Sequence, residues 1–161
     1  MGRVEIPRAK PGDEIVDVKE KVFEDHKAKP GDKALIMMHT IPYEGSVGLV
    51  NLLTATRMIR KGFDLSLSLY GPGVLMASET RGYPRVGDDA FPGNQAINNQ
   101  IKTIIKEGGK VYACRFAMAA LYGHREEDMI EGVKCINPLD VLDMLIEHWR
   151  AGALTIATWT V

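Results

Sequence analysis

The chain has few of the features that mark a secreted scaffold, a nucleic-acid-binding protein or a membrane protein. Its 161 residues include only two cysteines, too few for a disulfide framework or an all-cysteine zinc site. Its 20 basic and 21 acidic residues give a net charge of −1, which disfavours binding to a phosphate backbone. No apolar run approaches the roughly 20 residues of a transmembrane helix, and no signal-peptide pattern opens the chain. We therefore expect a cytoplasmic protein with free thiols that binds neither nucleic acid nor membranes.

The remaining composition predicts one domain preceded by a polar arm. A chain of this length with 45% hydrophobic residues can bury one complete core. Residues 1–32 are rich in Lys, Glu, Asp and Pro, and we expect them to pack as an arm on the domain or on a neighbouring subunit. Strand and helix patterns alternate from Lys33 onward, so the domain is predicted to span residues 33–161.

The alternating patterns predict five strands separated by helices. The unbroken apolar run Ala34–Met38 is typical of a parallel strand covered on both faces. Strands that alternate with helices form a mostly parallel, doubly wound α/β sheet with helices on both faces. The second strand alternates leucine with serine from Asp64 to Tyr70, which favours an edge position. The expected strand order is therefore flavodoxin-like, with the second strand at one edge and the fifth at the other.

In a flavodoxin-like sheet the strand order reverses between the first and third strands. Ligands bind beyond the carboxyl ends of these two strands. His39 ends the first strand, and we interpret it as either an acid/base residue or a structural histidine. The helix that follows begins near Gly45, where free amides can hold an anion. The ligand-binding and acid/base candidates at the mouth of this first loop and at the end of the second strand are Thr40, Tyr43, Glu44, Gly45, Ser46 and Tyr70.

A cysteine ends the third strand. Cys114 precedes Arg115 and a short helix, and a nearby cation and a helix N-terminus both favour the thiolate, which is the form that attacks or carries sulfur. A buried strand-end cysteine is also a common inert core residue, so both interpretations stay open. If His39 lies close to Cys114, the two form the minimal arrangement for an activated thiol. Cys135 lies inside a short apolar strand and is predicted to be inert.

Several well-known site patterns are absent from the sequence. It has neither a dinucleotide-binding glycine fingerprint nor a P-loop, and no histidine pair has the helical spacing of a zinc site. A tyrosine-phosphatase loop needs an arginine where Ala120 stands, and a nucleophile elbow around Ser46 needs glycine where Glu44 stands. We therefore predict no metal and no cofactor, and whether the protein is an enzyme stays open.

Several longer runs of sequence resemble the DsrE/DsrF-like family, and more closely its nitrogen-starvation-response branch, encoded near nitrilase-type genes in bacteria. The resemblance covers about residues 33–161. The runs that carry it are Glu44–Asn51, Leu69–Gly73, Phe91–Gly93, Gly109–Phe116, Asn137–Asp143 and Thr158–Thr160.

This resemblance implies a bacterial cytoplasmic protein of the DsrE-like fold that forms homo-oligomers, as a dimer, trimer or hexamer, and acts in nitrogen metabolism. Two hypotheses follow. The first is a non-enzymatic, oligomeric regulatory protein whose pocket binds a small metabolite or a partner protein. The second is a sulfur carrier or sulfurtransferase, because relatives carry a persulfide on the cysteine that matches Cys114; Arg115 would then stabilise the thiolate and His39 or Glu44 would move a proton. The sequence has no flexible cysteine-bearing tail of the kind found in sulfur relays.

Overall fold

The computed structural model describes residues 23–42, 45–79 and 96–159, without the side chains of residues 45, 46 and 96. Strands and helices alternate through these residues, as the hydrophobic patterns predict. The strands are β1 (Lys33–His39), β2 (Asp64–Leu69), β3 (Lys110–Cys114), β4 (Lys134–Ile136) and β5 (Leu154–Trp159), and the longer helices are α1 (Gly45–Arg60), α2 (Ala96–Lys106) and α3 (Pro138–Arg150). Two short helical segments, Gly71–Ala77 and Ala117–Leu121, follow β2 and β3.

The five strands form one parallel sheet in the order β4-β3-β2-β1-β5. The predicted doubly wound, parallel α/β architecture is thereby confirmed. The predicted flavodoxin-like order is wrong, because β2 lies between β1 and β3 rather than at an edge, and β5, although at an edge as expected, pairs with β1. The chain adds β2, β3 and β4 in sequence on one side of β1, and it adds β5 on the other side. The order in which strands are added therefore reverses between β1 and β5, and ligands are expected at the carboxyl ends of these two strands.

One face of the sheet carries the main hydrophobic core. Alternate residues of β1 and β2 point to this face, and Ile36 pairs in register with Leu67. They pack with Leu52 of α1 and with Ile101 and Ile104 of α2, all at most 1% exposed. Within the described residues, no helix is long and apolar enough to cross a membrane.

The opposite face of β2 explains why its polar pattern gave the wrong strand order. Ser66 and Ser68 are 4% and 1% exposed, although serine at alternate positions is typical of a solvated edge. Ser66 Oγ lies 3.0 Å from Nε2 of His148 in α3, and Nδ1 of His148 lies 2.7 Å from the carbonyl oxygen of Met144. A carbonyl only accepts, so Nδ1 carries a proton, and in the tautomer with its hydrogen on Nδ1 the Nε2 atom accepts from the Ser66 hydroxyl. Serine here anchors a helix instead of facing water.

The two serines of β2 form a matched pair for a stability measurement. Replacing Ser66 by alanine leaves Nε2 of His148 buried without a donor, so we expect the free energy of unfolding to fall by about 1–3 kcal/mol. Ser68 Oγ has no hydrogen-bond partner among the described residues, so Ser68→Ala should change stability by less than about 1 kcal/mol. Urea unfolding of both variants checks this, and equal losses would contradict the assignment.

The described part of the predicted arm lies against the end of α1. The backbone N–H of Ala28 donates to the carbonyl of Lys61, and Lys61 Nζ lies 2.6 Å from Asp25 Oδ1. Residues 1–22 lie outside the described residues. An arm that reaches a neighbouring subunit therefore stays a prediction.

Candidate functional site

Three aromatic rings meet at the carboxyl ends of β1, β2 and β5. The imidazole of His39 stacks on the indole of Trp159, with 4.6 Å between centroids and 26° between planes. The ring of Tyr70 lies 5.0 Å from His39 and meets Trp159 edge to face at 5.8 Å. These separations are those at which aromatic pairs attract each other. We call His39, Tyr70 and Trp159 the ring cluster.

The strand register brings these rings together. His39 is the β1 partner of Trp159 in β5, and the backbone N–H of Tyr70 donates to the carbonyl of Met38 just beyond the end of β2. Beneath the rings, the hydroxyls of Thr40 and Thr158 are hydrogen-bonded at 2.7 Å and are both buried. The ends of β1 and β5 are thus joined both by strand pairing and by this hydrogen bond.

Gly71 lets the chain turn directly beside the ring cluster. Its φ is +51°, a conformation that L side chains rarely adopt, and a Cβ at this position would overlap Nε2 of His39. Any side chain here would displace the imidazole. Glycine at position 71 is therefore part of what holds His39 against Trp159.

The ring cluster combines an exposed aromatic face with a neutral hydroxyl. Trp159 is 66% exposed, whereas His39 and Tyr70 are partly buried. Burial raises the pKa of the Tyr70 phenol above its usual range, so its hydroxyl remains protonated and able to donate at neutral pH. A planar ligand can stack on the indole and accept a hydrogen bond from the phenol.

Cys114 lies at the same edge of the sheet but apart from His39. Ala113 pairs with Leu69, so Cys114 is level with Tyr70, and β2 separates it from β1. Two strand spacings correspond to about 10 Å between the backbones of Cys114 and His39. The expected close approach of His39 and Cys114 is therefore wrong. It assumed that the strand order reverses between the first and third strands, whereas it reverses between β1 and β5. Cys114 is 6% exposed.

Arg115 is directed toward β4 and the segment before it. Its Nε lies 2.7 Å from Glu126 Oε1, and its Nη2 lies 3.4 Å from the carbonyl oxygen of Cys135. A carboxylate thus balances its charge. Burial, followed by the charge of Glu126, raises the pKa of the partly buried Cys135 thiol, while Arg115 lowers it. Cys135 is therefore a thiol at neutral pH, as expected of an inert residue.

The pH dependence of alkylation tests this assignment for Cys135. In a Cys114→Ser variant, the iodoacetamide reaction rate should rise with pH to a midpoint above the ordinary thiol pKa of about 8.5. Adding Glu126→Gln should lower the midpoint, and adding Arg115→Ala should raise it, because the two charges act in opposite directions. Mass spectrometry gives the rates. An unshifted midpoint in both double variants would contradict this electrostatic origin.

The remaining predicted site residues belong to the loop after β1 and the start of α1. Tyr43 and Glu44 lie outside the described residues, and Gly45 and Ser46 begin α1. Sequence reasoning missed Thr158, Trp159 and Gly71. The run Thr158–Thr160 was among those that resemble the family. The expected strand order, however, placed β5 far from β1. Across residues 23–42, 45–79 and 96–159, no cluster of three His, Cys, Asp or Glu side chains could hold a metal ion.

Comparison with known proteins identifies the family. The sequence profile described as the DsrE/DsrF-like family matches residues 32–151. The crystal structure of the ychN protein from E. coli superposes with a TM-score of 0.59 at 19% identity, covering 79% of this chain and 99% of that one. A protein of unknown function, MTH1491 from Methanobacterium thermoautotrophicum, gives a TM-score of 0.56 at 16% identity, covering 79% of this chain and 100% of that one. No curated protein matches significantly.

Proposed function

Because this chain belongs to the DsrE/DsrF-like family, we propose that it is an oligomeric, cytoplasmic regulatory protein that binds a small planar metabolite at the carboxyl ends of β1 and β5. One observation carries the proposal. The ring cluster lies at the carboxyl ends of β1 and β5, where the strand order reverses. This is the position at which open α/β sheets bind ligands.

The chemistry of the cluster indicates the class of ligand. The exposed indole of Trp159 offers a stacking surface, and stacking on such a surface contributes about 1–3 kcal/mol for a planar base. The protonated Tyr70 hydroxyl supplies a hydrogen-bond donor beside it. Nitrogen heterocycles and aromatic acids fit this combination of flat surface and few polar groups.

The resemblance of several sequence runs to the nitrogen-starvation-response branch supports a role in bacterial nitrogen metabolism. We expect the protein's abundance to rise when its source organism is transferred to nitrogen-limited medium, relative to carbon limitation. Quantitative proteomics of the two cultures tests this. Equal abundance in both would contradict the nitrogen part of the proposal without affecting ligand binding.

Tryptophan fluorescence tests the ligand site directly. The chain has two tryptophans, so Trp149→Phe leaves Trp159 as the only indole reporter. A panel of nucleobases, nicotinamide-type heterocycles and aromatic acids should contain at least one compound that changes this emission saturably. The ligand site is refuted if none of the panel binds and metabolites copurifying with the protein are also absent.

The second candidate function is a sulfur carrier using Cys114. Its support is the family and the position of Cys114 at the same carboxyl edge as the ring cluster, one strand from Tyr70. In this reaction the Cys114 thiolate attacks the outer sulfur of a donor persulfide, and the donor leaves as a thiolate. Since Cys114 is 6% exposed, the donor needs a local opening of the edge to reach it.

Intact-mass analysis distinguishes this second function from ligand binding. After incubation with a persulfide donor at neutral pH, the wild type should gain one sulfur atom, the Cys135→Ser control should gain it too, and Cys114→Ser should not. If the wild-type protein gains no sulfur, the carrier hypothesis is refuted. Ligand binding at Trp159 would be unaffected by that result.

A further inference from the structure

Ser68 of β2 is a buried polar residue whose hydroxyl is not satisfied. Its side chain is 1% exposed, and the hydroxyl has no hydrogen-bond partner among the described residues. Ser66, two residues earlier on the same face, shows the usual arrangement, because its hydroxyl is hydrogen-bonded to His148. A buried hydroxyl without a partner has lost its hydrogen bonds to water and gained none in the protein, so such groups are rare. Ser68 therefore has a donor available for a group outside the described residues.

The strand register places this hydroxyl beside Cys114. Ser68 pairs with Tyr112 of β3, and Cys114 follows Tyr112 by two residues. Paired residues of adjacent strands share a face of the sheet, and so do residues two apart on one strand. Ser68 and Cys114 therefore lie on the same face, one diagonal step apart. A strand spacing of about 4.8 Å and a rise of about 3.3 Å per residue put their α-carbons roughly 8 Å apart.

We propose that the Ser68 hydroxyl donates a hydrogen bond to the terminal sulfur of a persulfide on Cys114. The inference rests on the second proposed function, sulfur transfer through Cys114, and assigns the residue that stabilises the sulfur-loaded form. It does not depend on ligand binding at the ring cluster.

The diagonal separation fits a persulfide and not a thiol. Among the described residues, the Cys114 sulfur is not a hydrogen-bond partner of Ser68. A persulfide carries a second sulfur about 2.0 Å beyond the first. Rotation about the Cα–Cβ and Cβ–Sγ bonds of Cys114 can direct this added atom across the diagonal toward β2. The hydroxyl of Ser68 therefore gains its partner only after sulfur has been transferred.

The polar side chains nearest to Cys114 in the sequence and in the register are directed elsewhere. Arg115, the cation expected to stabilise sulfur at Cys114, is hydrogen-bonded to Glu126 at 2.7 Å. The ring of Tyr70, which is level with Cys114, lies against His39 at 5.0 Å. The terminal sulfur of a deprotonated persulfide carries negative charge, and hydrogen bonds to charged acceptors are the stronger ones. The buried serine of β2 supplies such a bond without a cation.

Sulfur transfer to Cys114 forms one S–S bond and breaks another. The Cys114 thiolate attacks the outer sulfur of glutathione persulfide, and the inner sulfur leaves as the glutathione thiolate. The proton of the outer sulfur passes to solvent, so the terminal sulfur on Cys114 is an anion that accepts from Ser68. No oxidant or reductant is consumed, because one persulfide is exchanged for another. Since the hydrogen bond forms only in the product, it shifts this equilibrium toward the protein persulfide.

Exchange with glutathione tests the assignment in the full-length protein carrying Cys135→Ser. This parent protein is equilibrated at neutral pH with fixed ratios of glutathione persulfide to glutathione, and intact mass gives the fraction with one added sulfur. Adding Ser68→Ala should lower the exchange equilibrium constant about ten- to 100-fold, the range expected for a hydrogen bond to a charged group. Ser66→Ala, on the same strand and face but farther from Cys114, is the matched control and should keep the constant within about twofold.

Two further measurements separate a hydrogen bond to sulfur from a general loss of packing. Ser68→Ala should leave the urea midpoint and the iodoacetamide reaction rate of the Cys114 thiol close to those of the parent, because its hydroxyl has no partner among the described residues in the thiol state. Ser66→Ala should lower the urea midpoint, since it removes the donor to His148. A Ser68→Ala protein whose Cys114 is alkylated at least about tenfold faster would overturn the assignment, because local opening would then explain the lost sulfur.

The outcomes distinguish this inference from the function on which it rests. If the parent protein gains no sulfur on Cys114, the sulfur-carrier function is wrong, and this inference is wrong with it. If the parent gains sulfur and Ser68→Ala has the same exchange constant, or Ser66→Ala lowers the constant equally, the inference is wrong while the carrier function stands. A lower constant in Ser68→Ala alone, with unchanged stability and alkylation, supports both.

Discussion

Replacing Gly73 with alanine is expected to lower the free energy of unfolding by about 2–3 kcal/mol or more. A Cβ at Gly73 would overlap the carbonyl oxygen of Met38 in β1, and that carbonyl also accepts the backbone N–H of Tyr70. A backbone atom within a sheet cannot rotate away as the end of a side chain can. Relief therefore requires the segment after β2 to move off β1. Urea unfolding measures the loss.

Gly48 provides the matched control for Gly73. It lies in α1, and a Cβ there would meet the ends of the Met76 and Ile97 side chains at 3.4 and 3.5 Å, which are ordinary contacts. Alanine is favoured over glycine inside a helix by about 1 kcal/mol. Gly48→Ala should therefore be neutral or stabilising by up to about that amount. A loss equal to that of Gly73→Ala would contradict the close approach of residue 73 to β1.

Replacing Trp159 with alanine is expected to weaken binding of the metabolite by about 1–3 kcal/mol, or roughly five- to 150-fold. The variant loses both the stacking surface for the ligand and the ring that supports His39. Titration calorimetry with the compound identified by fluorescence measures the dissociation constant.

Trp149→Ala is the control for Trp159→Ala, because Trp149 is a similarly exposed indole on a different element. It should leave the dissociation constant for the metabolite within about twofold of the wild type. An equal loss of affinity in the two variants would contradict a stacking surface on β5.

The secondary structure was predictable because hydrophobic periodicity reports burial directly. The run Ala34–Met38 lies within β1, and Ile101 and Ile104 face the core as their spacing indicates. Strand order depends on which helix covers which face. The serines of β2 gave the pattern of a solvated edge strand. Ser66 is instead buried and hydrogen-bonded to His148, 82 residues away. A contact at that separation leaves no local pattern in the sequence.

The candidate site was only partly predictable for the same reason. His39 was identified from its place at the end of an apolar run, and this place is independent of strand order. Its ring partner Trp159 follows from the pairing of β1 with β5, which the expected order excluded. Cys114 was correctly located at the end of β3, but the position of β2 separates it from His39.

The most direct test of the ligand site at the ring cluster is a fluorescence titration of Trp159 in the Trp149→Phe protein, repeated with His39→Ala and with Cys114→Ser. A site at the ring cluster predicts a saturable change whose dissociation constant rises about two- to tenfold with His39→Ala and is unchanged by Cys114→Ser. Binding that survives His39→Ala but is abolished by Cys114→Ser would contradict it and assign the site to the end of β3.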